Sequence, residues 1–323
     1  MILPYFSRLL CLCFACFFLT NAALGLAARV CSRVSTCLTA RMKASTAAHL
    51  LLALRLLPGA LAVFVVAGLC IPSYLWLEPD GTRERVGIIC TVLGLLGVTT
   101  WTSTLGRVGR ALVDSMRFNR LCGQETREIY IAGKKFCASV VGTDAPLLAM
   151  AGMVRPRLIV SRGVLEALSL EELDAALRHE NAHRLSGDNC KRFLVLLAPD
   201  ILPFVRGFGA LEQTWAKLAE WAADDEATGG DKQRALSLAG ALVRVARMGA
   251  GPRLSFLHTS LVAGDEDFSA RVQRLLRPEL LARHARWPIW SLGGLFLAAC
   301  LAGLLVWPAT LFSFHQLLEV FLR

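Results

Sequence analysis

A mainly α-helical membrane protein, with four membrane-spanning helices and an α+β domain inserted before the last of them, is what the sequence predicts. Three observations carry this. Apolar residues make up 55% of the 323 residues and charged residues only 19%, well away from the soluble average. Four runs are apolar and long enough to cross a bilayer, which takes about 20 helical residues. Residues 107–287, between the third and fourth runs, are by contrast rich in charge and hold short strand-like runs followed by amphipathic helices.

The spans follow in order. Residues 4–28 form the first, interrupted only by Arg8 and Asn21. A cleaved signal peptide is the alternative for residues 1–28, because Asn21-Ala22-Ala23 and Leu26-Ala27-Ala28 resemble small-residue cleavage sites. Residues 56–77 and 86–106 are the second and third spans, so residues 1–106 form one unit. Residues 289–314 are the fourth, inside a C-terminal unit of residues 288–323. A fifth apolar stretch, residues 193–208, contains Asp200, Pro199 and Pro203, and reads as a buried or membrane-dipping hairpin rather than a crossing. Six cysteines, Cys11, Cys13, Cys16, Cys70, Cys90 and Cys300, fall within spans, where they serve as small apolar residues.

Basic residues set the orientation. The connection between the first two spans carries Arg29, Arg33, Arg41, Lys43 and Arg55 with no acid, whereas the next connection, near Glu78 to Arg85, has no excess of base. Arg107, Arg110, Arg117 and Arg120 follow the third span, and Arg283 and Arg286 precede the fourth. The positive-inside rule then makes the first loop and the insert cytoplasmic, with both termini outside. Within residues 107–286 there are 26 basic and 21 acidic residues, an excess too small and too dispersed for a nucleic-acid groove. Anchoring to anionic lipid accounts for it, so membrane lipid is an expected partner and nucleic acid is not.

Inside the insert, residues 128–132, 137–141, 147–151 and 157–161 read as strands of a small sheet, with Leu158-Ile159-Val160 as the candidate edge that would hold an extended peptide. An ordinary core strand is the alternative for that run. Ser169-Leu170-Glu171-Glu172 fits a capping box, opening a helix that continues to about Leu185 and stops at Gly187. Helices are also expected over residues 209–228, 231–248 and 270–281.

The helix opened by Ser169 contains His179-Glu180-Asn181-Ala182-His183, an H-E-x-x-H pattern. Residues four apart share a helix face, so both imidazoles can reach one metal ion, with Glu180 beside them as a general base. A shuffled chain of this composition yields the pattern about once in two hundred, so a third ligand is required before it means more than a solvated helix face. Residues 209–228 supply it: Glu220 and Asp224 are again four apart, Glu220 able to complete a His2Glu zinc site and Asp224 to orient a ligand histidine from behind. His258 could donate to an oxyanion or be a plain loop histidine.

His179-Glu180-x-x-His183, then Asp188, then Glu220-x-x-x-Asp224 resembles the gluzincin class of zinc metallopeptidases. Arg155-Pro156-Arg157-Leu158-Ile159-Val160-Ser161 and the segment Gly163 to Glu172 are similar to the stretch before the zinc helix in the BlaR/MecR type of integral-membrane peptidase. Gly187-Asp188 and Glu220-Trp221-Ala222-Ala223-Asp224 resemble the HtpX-like group more closely. The resemblance covers residues 107–286 and is strongest around the ligands. It implies one zinc ion on His179, His183 and Glu220, Glu180 as catalytic base, Asp188 as a support of the zinc helix, and an endopeptidase in the inner membrane with its catalytic domain in the cytoplasm. The implied substrate is a cytoplasmic or membrane-proximal protein, such as a repressor, cut in regulatory signalling; a homo-oligomer is compatible. No penicillin-binding domain follows the fourth span within these residues, so direct β-lactam sensing is not expected. An HtpX-like quality-control protease and a non-enzymatic membrane scaffold are the alternatives.

Overall fold

The computed structural model describes residues 4–39, 42–78, 86–122, 126–131, 134–152, 156–202, 207–249, 259–260, 265–277, 310–316 and 318. Long apolar runs give the first elements: α1 (Tyr5–Thr39), α2 (Ala44–Val65, with Pro58 inside it), a π-helical turn (Val66–Cys70), α3 (Ile71–Leu77) and α4 (Ile88–Cys122). The π turn sits just ahead of Pro72, whose ring has no N–H to give and crowds the carbonyl four residues back, so the helix absorbs one extra residue there. Three stretches, Tyr5–Cys31, Ala44–Leu77 and Ile88–Arg120, are long and apolar enough to cross a membrane, matching the first three predicted spans. Most of the fourth, residues 289–309, lies outside the described residues; residues 310–314 of it are helical.

Helix α1 packs on α2 and α4. Glycines permit the approach: a β-carbon on Gly97 would collide with the Phe14 carbonyl, and one on Gly94 would meet the Cys11 sulfur at 3.0 Å. Helix α4 does not stop at the end of its apolar run but continues sixteen residues beyond Gly106 into the insert.

Strands β1 (Thr126–Ile131), β2 (Lys134–Val141), β3 (Leu148–Ala151), β4 (Arg157–Ser161) and β5 (Thr259–Ser260) form a sheet in the order β1-β2-β4-β3-β5. The β2–β4 pair is parallel and the others antiparallel. The expected edge at Leu158-Ile159-Val160 is therefore incorrect: β4 lies inside the sheet, paired with β2 on one side and β3 on the other. Its uninterrupted apolar run is what a strand covered on both faces requires. Leu158 and Val160 enter a core with α5 (Arg162–Ala167), α6 (Leu170–Ser186), α9 (Lys232–Arg247) and α10 (Asp265–Leu276). Ile159 faces the opposite way, into a second core with Cys122 and, at its border, Phe118 from the end of α4.

The remaining helices are α7 (Asp188–Leu197) and α8 (Gly209–Thr228). Ser169 and Glu172 form the capping box at the start of α6, and Gly187, at φ +69°, ends that helix and turns the chain straight into α7. Helix α7 stops at Leu197, so residues 193–202 are not one helix, and Val195, Ile201 and Phe208 share a core with Ala28 of α1 and Ala47, Ala48 and Leu51 of α2; residues 203–206 of the expected hairpin lie outside the described residues. Trp215, Leu211 and Leu218 of α8 share a core with Ala47, Ala48 and Leu51 of α2. Helix α8 thus lies between the apolar bundle and the α6 face of the sheet domain.

Candidate metal centre

The 3.6-residue period of α6 puts His179, Glu180 and His183 in the interior, at 0%, 0% and 2% exposure. Facing them across the α6–α8 contact, α8 presents Glu220 and Asp224, both buried. His179 Nε2 and His183 Nε2 are 3.1 Å apart; Glu220 Oε2 is 3.4 Å from the first and Glu220 Oε1 is 3.6 Å from the second. Two ligand atoms each about 2.0–2.1 Å from one tetrahedral ion stand about 3.3 Å apart. The three donors, within 4.8 Å of one another, thus have the spacing of a single divalent ion's ligands, and two imidazoles with one carboxylate are a donor set that suits zinc. Among the described residues this is the one such group of His, Cys, Asp or Glu.

Each histidine is held from behind. His183 Nδ1 lies 2.7 Å from Asp188 Oδ2, and His179 Nδ1 lies 2.9 Å from Asp224 Oδ1. His183 Nδ1 donates to Asp188 and His179 Nδ1 faces the Asp224 carboxylate as an ion-pair contact, so both rings turn Nε2 inward, toward each other and Glu220. Asp188, expected only to support the zinc helix, therefore contacts the second histidine directly, and is itself fixed by Ser186 Oγ (2.5 Å) and Lys191 Nζ (3.0 Å). Gly187 makes this possible, since the left-handed turn sets Asp188 in the first turn of α7, next to the end of α6.

Electrostatics in this buried cluster follow from its partners. Burial opposes charge on Glu220, but the His183 and Arg271 charges outweigh it and hold the carboxyl well below its usual range. Asp188 and Asp224 are likewise drawn down to about 2, against burial, chiefly by His183 and by Arg271 respectively. In the metal-free protein burial works against charge on His183, yet Glu220 and Asp188 raise it to about 10. Glu180 differs: burial dominates and lifts it to about 7. Neither of its carboxylate oxygens has a hydrogen-bond partner among the described residues, although both are buried. Such an orphan is costly in a mere packing residue and suits one whose partner is a small polar reactant.

Two further residues belong to the site and escaped the sequence reading. Arg271, from α10, grips Asp224 through Nη2 (2.8 Å) and Nε (3.0 Å), reaches Glu220 Oε2 with Nη1 (3.2 Å), and lies 3.4 Å from His179 Nε2. Arg192, from α7, sits over the Trp215 ring and comes within 3.5 Å of Glu220 Oε1. Neither carries a local motif; only a helix was expected at residues 270–281. His258 lies outside the described residues.

No protein-family model, no curated protein and no solved structure matches this chain.

Proposed function

We propose that the chain is a membrane-embedded, zinc-dependent endopeptidase that hydrolyses a peptide bond in a cytoplasmic or membrane-proximal protein. The observation that carries this reading is the convergence of His179, His183 and Glu220 from two helices, with the buried carboxylate of Glu180, which has no hydrogen-bond partner among the described residues, beside them. A gluzincin-type domain between membrane spans is the matching architecture, and the basic residues at the α1–α2 end (Arg29, Arg33, Arg41 and Lys43) and after the third span (Arg107, Arg110, Arg117 and Arg120) favour a cytoplasmic site at the inner membrane.

His179, His183 and Glu220 would hold the ion, while Asp224 and Asp188 keep the two rings turned toward it. Zinc when bound polarises a carbonyl and makes water acidic enough to deprotonate near neutral pH. Glu180 takes a proton from the attacking water on a carboxylate oxygen and returns it to the leaving amine. The burial that raises Glu180 toward neutrality suits it to both transfers. Arg271 neutralises the carboxylates of Glu220 and Asp224 and keeps both aimed at their partners.

A purified Glu180→Gln protein is expected to bind zinc at wild-type stoichiometry and to cleave nothing. Turnover at the wild-type rate would remove the general base, and absence of zinc from the wild-type protein would remove the whole reading. The same variant used as a trap reports breadth: capture of one protein supports regulated proteolysis, and capture of many supports membrane quality control.

A further inference from the structure

We infer that Arg55, on the apolar helix α2 and remote in sequence from every metal ligand, is a positioning residue for the metal centre. This builds on the reading of His179, His183 and Glu220 as metal ligands. The side chain of Arg55 is 3% exposed and its guanidinium joins two helix ends. Nη2 donates to the carbonyls of Ala198 (2.8 Å) and Val195 (3.3 Å) and Nη1 to that of Pro199 (3.1 Å), at the C-terminal end of α7. These are carbonyls that a helix end leaves unbonded, and a cation there also meets the negative end of the helix dipole. Nε donates to Glu212 Oε1 at 2.7 Å, in the first turn of α8. One planar group thus ties the end of α7 to the start of α8, with the Phe208 ring stacked 4.7 Å below it.

Both helices so tied serve the ligands. Helix α7 begins with Asp188, the partner of His183, and carries Arg192 beside Glu220. Helix α8 carries Glu220 eight residues after Glu212, about 12 Å along the axis, and Asp224 one turn further. A rotation or slide of α8 against α7 would move Glu220 away from the histidine pair on α6. The other apolar helices brace the same connection. Asp200 is paired with Arg107 of α4 and lies 3.9 Å from Arg55, and Asn21 of α1 donates to the Asp200 carbonyl at 2.8 Å. Asp200, just past α7, is therefore held from α1, α2 and α4, and Arg55 links the end of α7, which begins with the partner of His183, to the start of α8, which bears Glu220.

Other contacts around this link remain when it is cut. Asp200 keeps Arg107, and the Glu212 side chain, 20% exposed, can turn to water. The test uses full-length protein in detergent, the variants Arg55→Gln and Glu212→Gln, and their double variant, with zinc affinity and proteolysis as readouts. Loss of a residue that orients ligands costs about tenfold or more in metal affinity. Arg55→Gln is expected to bind zinc at least about tenfold more weakly than wild type and to regain cleavage when free zinc exceeds its new Kd. The double variant should be no weaker than Arg55→Gln alone, because both changes cut one link. If Arg55→Gln fails to fold, Glu212→Gln alone makes the same comparison. Wild-type zinc affinity in the variant that folds, or weakened cleavage that excess zinc does not restore, overturns the role of Arg55 while leaving the metal centre standing. A wild-type protein that binds no zinc overturns both.

Discussion

Asp188 offers the sharpest test of how the metal centre is built. In Asp188→Ala, His183 loses the carboxylate 2.7 Å behind its Nδ1, and Ser186 and Lys191 lose their acceptor. The size of the effect can be taken from the carboxyl itself. Moving from its usual 3.8 to about 2 corresponds to roughly 2 kcal/mol of preference for the charged form in the folded cluster. Much of that is the His183 contact, so zinc affinity should fall by about 10- to 100-fold, the range seen when a ligand histidine loses its outer partner. The sign with pH is fixed as well. A depressed carboxyl contributes stability above its unfolded value of 3.8 and loses it as pH falls through about 2, so the deficit of the variant should be present in full at pH 6 to 7. Competition against a chromophoric chelator gives the zinc Kd, and thermal unfolding of the metal-free protein gives the structural part separately. A zinc Kd within about twofold of wild type, alongside a lowered melting temperature, would refute the orienting role and leave Asp188 as a helix-end support.

Other perturbations follow from the same cluster. Glu180→Gln should melt higher than wild type at pH 8 without metal, because a carboxyl raised to about 7 loses stability as pH climbs from 4.5 through 7 and an amide does not; equal melting curves at pH 5 and 8 for both proteins would contradict this. Arg271→Met leaves Asp224 buried without its arginine and Glu220 with Arg192 alone, a change of about 3–5 kcal/mol in the metal-free protein, and added zinc should recover part of it; a variant that melts like wild type would show that Arg271 bears no such load. Zinc binding should release protons, because His183, raised to about 10 in the metal-free cluster, must become neutral to ligate. Affinity should then weaken as pH falls from 8 to 6, and titration calorimetry in two buffers of different ionisation heat should show the release; identical heats would count against it.

Much of the site was legible because its signals are local. Ser169, Glu172 and Gly187 bound the ligand helix, and the four-residue spacings of His179 with His183 and of Glu220 with Asp224 survive any packing of the helices. The bounds read for the second metal helix, residues 209–228, are those of α8. What the sequence hid is long-range. Arg271 and Arg192 look like ordinary charged surface until α10 and α7 are folded against α8. The run Leu158-Ile159-Val160 is equally compatible with an edge and an interior strand, and only the pairing of β2 with β4 decides it. Helix α10 begins at Asp265 rather than at the expected residue 270, where the acidic run 265–267 suits the positive end of a helix.

Helix α4 has one more consequence. It runs unbroken from the apolar bundle to Phe118 and Cys122 beneath the sheet, so the two regions share a stiff rod and not a hinge. The part beyond Gly106 is about 24 Å long, and swinging it by five degrees moves its tip by roughly 2 Å. Thickening or thinning of the surrounding lipid, which helices answer by leaning, would therefore be delivered mechanically to the floor of the sheet domain.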